Sequence, residues 1–186
     1  MPYFEVEITG IPLAFHTQEG LFSPHGPDAG TLAMIECADV AFGQAVLDLG
    51  CGYGIVGVWA AKRGAQVYMT DIDSEAVSCA SRNLELNGTA AELVCADGLA
   101  GVDRAGFDWI LCNPPYHADY TVAKRFIEKG FNRLKIGGRM ALVVKRPLWY
   151  RKKLEAIFGG ARTVESGGYT VLTAEKRSAQ YANKSR

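Results

Sequence analysis

From residue 45 onward, short apolar runs at 45–49, 66–70, 92–96, 107–112 and 139–144 alternate with segments whose apolar positions recur at helical spacing. That alternation is the signature of βαβ units around a mainly parallel sheet. The first helix is predicted over 55–62 and is stopped by Gly64. The next begins where Asp73 or Ser74 can cap its free N–H groups. It sets Val77, Ala80 and Leu84 on one face and ends at Asn87-Gly88, since glycine readily takes the left-handed conformation of a helix terminus. A helix over 119–134 places Val122, Phe126, Ile127, Phe131 and Leu134 on one side, leaving Lys124, Arg125, Lys129 and Arg133 elsewhere on the surface. Lys135-Ile136-Gly137-Gly138 then turns into the fifth strand. Pro147 opens a last helix reaching Phe158, because its missing N–H is one of those left unpaired at a helix start. Residues 162–165 and 169–174, joined through Gly167-Gly168, form a hairpin closing one sheet edge. The expected fold is α/β and doubly wound: a mainly parallel, seven-stranded Rossmann-like sheet with an antiparallel last strand.

Ahead of this repeat, Phe4, Val6 and Ile8 alternate with Glu5, Glu7 and Thr9, which predicts a short half-buried strand. A Gly/Pro-rich loop over 20–30 and a helix over 31–38 follow. The tail after Glu175 is polar and reads as loose. The expectation is one domain over 1–186, with an extension at 1–44, a core at 45–175 and a tail at 176–186.

A chain of 186 residues with 48% hydrophobic and 22% charged positions fits one globular unit. It has no long apolar run, and its first residues carry neither a basic nor an apolar leader. Neither a membrane span nor a signal peptide is expected, and the chain reads as cytoplasmic. The five cysteines, at 37, 51, 79, 95 and 112, form no C-x-x-C pair, so no metal is expected. Cys95 and Cys112 lie in strand runs and read as small hydrophobes. Net charge is zero, yet residues 1–123 hold 4 Lys/Arg against 16 Asp/Glu, and residues 124–186 hold 16 against 4.

Asp48-Leu49-Gly50-Cys51-Gly52-Tyr53-Gly54 closes a strand and opens a helix, a place where the chain turns sharply and a ligand approaches the backbone. Gly52 to Gly57 also satisfies G-x-G-x-x-G, and Asp71 lies near the offset of a ribose-binding acid. By itself, then, the loop fits either S-adenosylmethionine or NAD. Asn113-Pro114-Pro115-Tyr116 follows the fourth strand at the carboxyl edge of the sheet, where ligands of such folds bind. The two prolines fix φ and remove donors, leaving carbonyl acceptors only. The Asn113 amide oxygen and the Pro114 carbonyl can accept both N–H bonds of a planar exocyclic amine. They complement the positive charge that develops on its nitrogen as it takes a methyl group. Tyr116 can stack on the target ring, and His117 stands beside it as a candidate contact.

The chain resembles the small-domain methyltransferase family, which includes bacterial rRNA guanine-N2 methyltransferases. The resemblance rests on Gly20-Leu21-Phe22-Ser23 with Asp28-Ala29-Gly30-Thr31, on the acid-first D-x-G-x-G-x-G loop, on Asn113 to His117 and on Gly167-Gly168-Tyr169. It implies S-adenosylmethionine as cofactor, held by Asp48, Gly50, Gly52 and Gly54. Asp71 falls at the ribose hydroxyls, Asp97 at the adenine amine and the loop around Thr31 near the methionine end, with Ile72, Gly98 and Asn113 as further cofactor contacts. It further implies Asn113 and Tyr116 as the catalytic pair, beside the Pro114 carbonyl, with ribosomal RNA as substrate. The longer rRNA enzymes carry an extra N-terminal domain, whereas about 44 residues precede the first core strand here. Asn-Pro-Pro-Tyr also occurs in adenine-amine methyltransferases of tRNA and DNA and in glutamine-amide methyltransferases. An NAD-linked oxidoreductase and a non-catalytic cofactor-binding module complete the alternatives. Lys145-Arg146, after the fifth strand, and Lys152, one turn further on, form a basic rim suited to a phosphate backbone.

Overall fold

The computed structural model describes residues 2–114 and 120–184, the last without its side chain. Two strands, β1 (Tyr3–Ile8) and β2 (Ile11–His16), are followed by the helix α1 (Ala29–Cys37). The core then runs β3 (Ala45–Leu49), α2 (Ile55–Lys62), β4 (Gln66–Asp71), α3 (Ser74–Leu86), β5 (Glu92–Cys95) and β6 (Phe107–Cys112). It continues with α4 (Tyr120–Arg133), β7 (Leu134–Val144), α5 (Pro147–Phe158), β8 (Arg162–Ser166) and β9 (Tyr169–Glu175). Seven strands form one sheet in the order β5-β4-β3-β6-β7-β9-β8. Those from β5 to β7 are parallel, and β9 is antiparallel to both its neighbours, as the pattern predicts.

Both faces of the sheet are covered, so its central strands are mostly apolar rather than alternating with polar residues. Val46, Met69, Leu111 and Val143 face a core shared with α1, α2 and α3. Leu47, Leu49, Ile110 and Leu142 face the opposite core, filled by Phe126, Ile127 and Phe131 of α4 and Leu154 of α5. On α3 the buried face is centred on Ala76, Cys79, Ala80 and Asn83, with Val77 half-buried. Asp73 is the residue that caps this helix, accepting from the Glu75 N–H at 2.9 Å.

The expected half-buried strand at the N-terminus pairs with a second one through a two-residue turn, Thr9-Gly10, with φ of 50° and 78°. The hydrophobic pattern does not signal β2, because Pro12 interrupts it and a proline inside a run argues against a paired strand. Helix α3 makes β2 possible. The Asn83 Oδ1 accepts from the His16 N–H at 2.8 Å and its Nδ2 donates back to the His16 carbonyl at 2.8 Å. One turn on, Asn87 does the same for Ala14, at 3.0 and 2.7 Å. The outer edge of the hairpin is thus paired with side chains.

Three further segments differ from expectation. β7 begins at Leu134, because residues 135–138 bulge out where the register passes from Phe107↔Leu134 to Trp109↔Arg139. Only glycine fits at 138, where a Cβ would lie 2.5 Å from the Phe107 carbonyl oxygen. Cys95 is exposed because β5 is an edge strand, while Cys112 is buried at the sheet centre. The segment after Glu175 is held down: the Lys176 amine donates to the Leu134 carbonyl at 2.8 Å and sits 4.7 Å over the Phe131 ring, against which Tyr181 also packs.

Candidate active site

The loop after β3 is stiff before any ligand arrives. The Gly50 and Cys51 N–H groups donate to the Thr70 carbonyl at 2.8 and 2.9 Å. The Gly52 N–H donates to Asp71 Oδ2 at 2.8 Å, and Asp71 Oδ1 accepts from the Asp73 N–H at 3.0 Å. Gly50, Gly52 and Gly54 have φ of 76°, 54° and 95°, in the left-handed region that side chains resist. Their roles divide. A Cβ on Gly50 or Gly52 would meet no protein atom within 4 Å, whereas one on Gly54 would come within 2.9 Å of Met69 and 3.0 Å of Ala80. The first two leave backbone open to a ligand; the third lets α2 pack against β4 and α3.

Asp48, at the end of β3, is 3% exposed, and its Oδ2 accepts from the Gly57 N–H at 2.8 Å. Burial pushes its carboxyl up to about 7; the Gly57 hydrogen bond opposes this rise and the nearby Asp71 charge adds to it. A buried acid beside a second carboxylate is suited to a cationic ligand, which would relieve both penalties.

At the carboxyl ends of β5, β4, β3 and β6, where the strand order reverses, lies a cavity of about 420 Å³. Of the residues expected at a cofactor, Asp48, Gly50 and Gly52 line it from β3, and Asp71 and Ile72 from β4. Asp97 and Gly98 line it after β5, Asn113 and Pro114 after β6, and Thr31 from α1. Gly54 stands behind that wall. Asp97 also binds Arg125 of α4 at 2.5 Å, so this arginine belongs to the rim of the site rather than to a purely solvated helix face. Lys145, Arg146 and Lys152 are exposed and lie outside the cavity lining. Pro115, Tyr116 and His117 lie outside the described residues.

Two residues that sequence reasoning did not assign to the site complete it. Asp28 caps α1, so the helix begins at Ala29 rather than Thr31; its Oδ2 accepts from the Thr31 N–H at 2.9 Å and from Asn113 Nδ2 at 3.2 Å. Tyr169 of β9 donates to Asp28 Oδ1 at 3.0 Å. Asn113 Nδ2 also reaches Thr31 Oγ1 at 2.9 Å, leaving Asn113 Oδ1 buried with no partner among the described residues. The available signal was the cap itself: an Asp immediately ahead of an apolar helical run.

The chain matches the methyltransferase small domain family over residues 12–173. It belongs to that family. Membership resolves the ambiguity of the glycine loop, since the dinucleotide reading has no support beyond the G-x-G-x-x-G spacing. The chain is 37% identical to the ribosomal RNA small subunit methyltransferase C of Chromohalobacter salexigens, over 94% of its own length and 52% of that protein. It is 33% identical to the ribosomal RNA large subunit methyltransferase G of Pseudomonas putida, over 93% and 48%. Among solved structures, a T. thermophilus 16S rRNA N2 methyltransferase in complex with AdoMet and guanosine superimposes with a TM-score of 0.88 at 33% identity, over 95% of this chain and 51% of that one. The chain thus spans about half the length of these relatives.

Proposed function

We propose that this chain transfers a methyl group from S-adenosylmethionine to the exocyclic N2 amine of a guanine in ribosomal RNA. The observation that carries the reading is Asn113 Oδ1: a buried amide oxygen with no partner among the described residues, on a residue that lines the cavity beside Pro114. Leaving such an acceptor unsatisfied costs about 1–3 kcal/mol, which a bound N–H donor recovers. The likeness to rRNA methyltransferases over nearly the whole chain supports both the chemistry and the RNA class.

The residues present fit the cofactor. The cavity is large enough for a nucleoside with a short chain, its glycine wall is open at Gly50 and Gly52, and Asp48, Asp71 and Asp97 provide acceptors and negative charge along it. In this reading Asp71 holds the ribose hydroxyls, Asp97 and Gly98 border the adenine, and Thr31 borders the methionine end. When bound, the cofactor supplies an electrophilic methyl group on a sulfonium. Asn113 Oδ1 and the Pro114 carbonyl accept the two N–H bonds of the target amine. They thereby hold its lone pair toward the cavity and stabilise the charge that grows on nitrogen. Tyr116 stacks on the guanine, His117 borders it, and Lys145, Arg146 and Lys152 take the RNA backbone. Residues 1–44 serve as a wall of the cavity, through Asp28 and Thr31. Among the described residues no helix is long and apolar enough to cross a membrane, in keeping with an enzyme that works on RNA in the cytoplasm.

The test is incubation of the purified protein with S-adenosylmethionine and unmodified 16S and 23S rRNA transcripts, followed by mass spectrometry of nucleosides. N2-methylguanosine is expected. N6-methyladenosine in its place would overturn the guanine assignment, and no methylation of any RNA would overturn the substrate class. Asn113→Ala should slow transfer by about 100-fold or more while S-adenosylhomocysteine affinity by calorimetry is unchanged.

A further inference from the structure

Asn113 can serve as an acceptor only if its oxygen, and not its NH₂, faces the cavity. An amide side chain is nearly symmetric in shape, so packing alone does not choose between the two orientations. The choice is made electrostatically. The Asp28 side chain accepts at both oxygens, from the Thr31 N–H and from Tyr169, and its Oδ2 lies 3.2 Å from Asn113 Nδ2. Flipping the amide would place oxygen against oxygen there. Thr31 Oγ1, 2.9 Å from the same Nδ2 and 3.3 Å from Asp28 Oδ2, donates its own proton to Asp28 and so presents only lone pairs to Asn113. Both neighbours therefore demand an N–H.

Asp28 is in turn held from behind. The Tyr169 hydroxyl binds its other oxygen at 3.0 Å, and the tyrosine ring reaches that position because residue 30 is glycine: a Cβ there would stand 2.6 Å from the ring and 2.7 Å from Val143. The Lys145 amine lies over the same ring, 5.3 Å from its centre. Two segments far apart in sequence, Asp28-Ala29-Gly30-Thr31 and Gly167-Gly168-Tyr169, thus meet on one carboxylate.

We propose that Asp28, braced by Tyr169, is a positioning residue that fixes the amide orientation of Asn113, keeping Oδ1 toward the substrate amine. The inference rests on the methyl-transfer reading above. Its test separates this role from that of an ordinary helix cap. Asp28→Ser retains a good N-cap for α1 but removes the carboxylate that faces Asn113 and Tyr169. With the rRNA transcripts and S-adenosylmethionine, Asp28→Ser should lose about 10- to 100-fold in kcat while KM, S-adenosylhomocysteine affinity and melting temperature change little. Tyr169→Phe should show a smaller loss of the same kind. The decisive arm is the double variant: in an Asn113→Ala background, Asp28→Ser should cost nothing further, because there is no amide left to orient. A full additional loss in the residual rate of that background, or a kcat for Asp28→Ser equal to that of the parent while Asn113→Ala is slowed about 100-fold, would overturn the positioning role alone. An Asn113→Ala as fast as the parent would overturn the methyl-transfer role of Asn113 and the positioning role with it.

Discussion

Asp48 makes a prediction whose size follows from its burial. Moving a carboxyl from 3.8 to about 7 makes its ionised form about 4 kcal/mol harder to hold in the fold than in the unfolded chain. Because the folded value is the higher one, the native state keeps this proton where the unfolded state has released it. The stabilising contribution is complete below the unfolded value and is lost as pH rises through about 7. Between about pH 5 and pH 8 the loss amounts to roughly 3 kcal/mol. Asp48→Asn keeps an oxygen for the Gly57 N–H, bonded at 2.8 Å, but cannot ionise. The difference between variant and parent isolates Asp48 together with its coupling to Asp71, since groups that do not interact with Asp48 contribute equally to both. Calorimetric melting of the ligand-free proteins should show the variant gaining on the parent by roughly 8 °C between about pH 5 and pH 8, at 2–4 °C per kcal/mol for a chain of this size. A constant gap across that range would refute the argument. The cofactor should push the other way: its positive charge favours ionised Asp48, so parent affinity should rise through about pH 7 and Asp48→Asn should flatten that rise.

The glycines of the loop should separate by function. Gly54→Ala combines a φ of 95° with contacts at 2.9 and 3.0 Å to Met69 and Ala80, and should lower stability by more than the roughly 1–2 kcal/mol of left-handed strain alone. Gly52→Ala faces open space, so thermal melting should show the strain alone while calorimetry shows S-adenosylhomocysteine affinity falling at least about tenfold, a loss of about 1.4 kcal/mol. Reversing charge at Arg146 and Lys152 should weaken rRNA binding and reduce the slope of log K against log salt by up to about 2. S-adenosylmethionine binding should be untouched, and an unchanged salt slope would remove these residues from the RNA path.

The sequence alone determined the sheet. Apolar runs at 45–49, 66–70 and 107–112 specify strands buried on both faces, helical spacing between them specifies crossovers, and the hairpin through Gly167-Gly168 specifies an antiparallel edge. Local constraints are written locally, so the loop at Asp48, the proline at 147 and the cap at Asp73 were readable as they stand. Tertiary structure decided the rest. Pro12 interrupts the pattern of β2, and the partners of its outer edge, Asn83 and Asn87, lie 67 to 73 residues away. The division of the glycines into open and packed depends on Met69 and Ala80 standing behind Gly54 and nothing standing before Gly52. The orientation of Asn113 depends on Asp28, 85 residues before it, and Asp28 depends on Tyr169, 141 residues after it. Residue identity could nominate an asparagine as an acceptor; only the fold, by bringing a carboxylate against its NH₂, turned the oxygen toward the cavity.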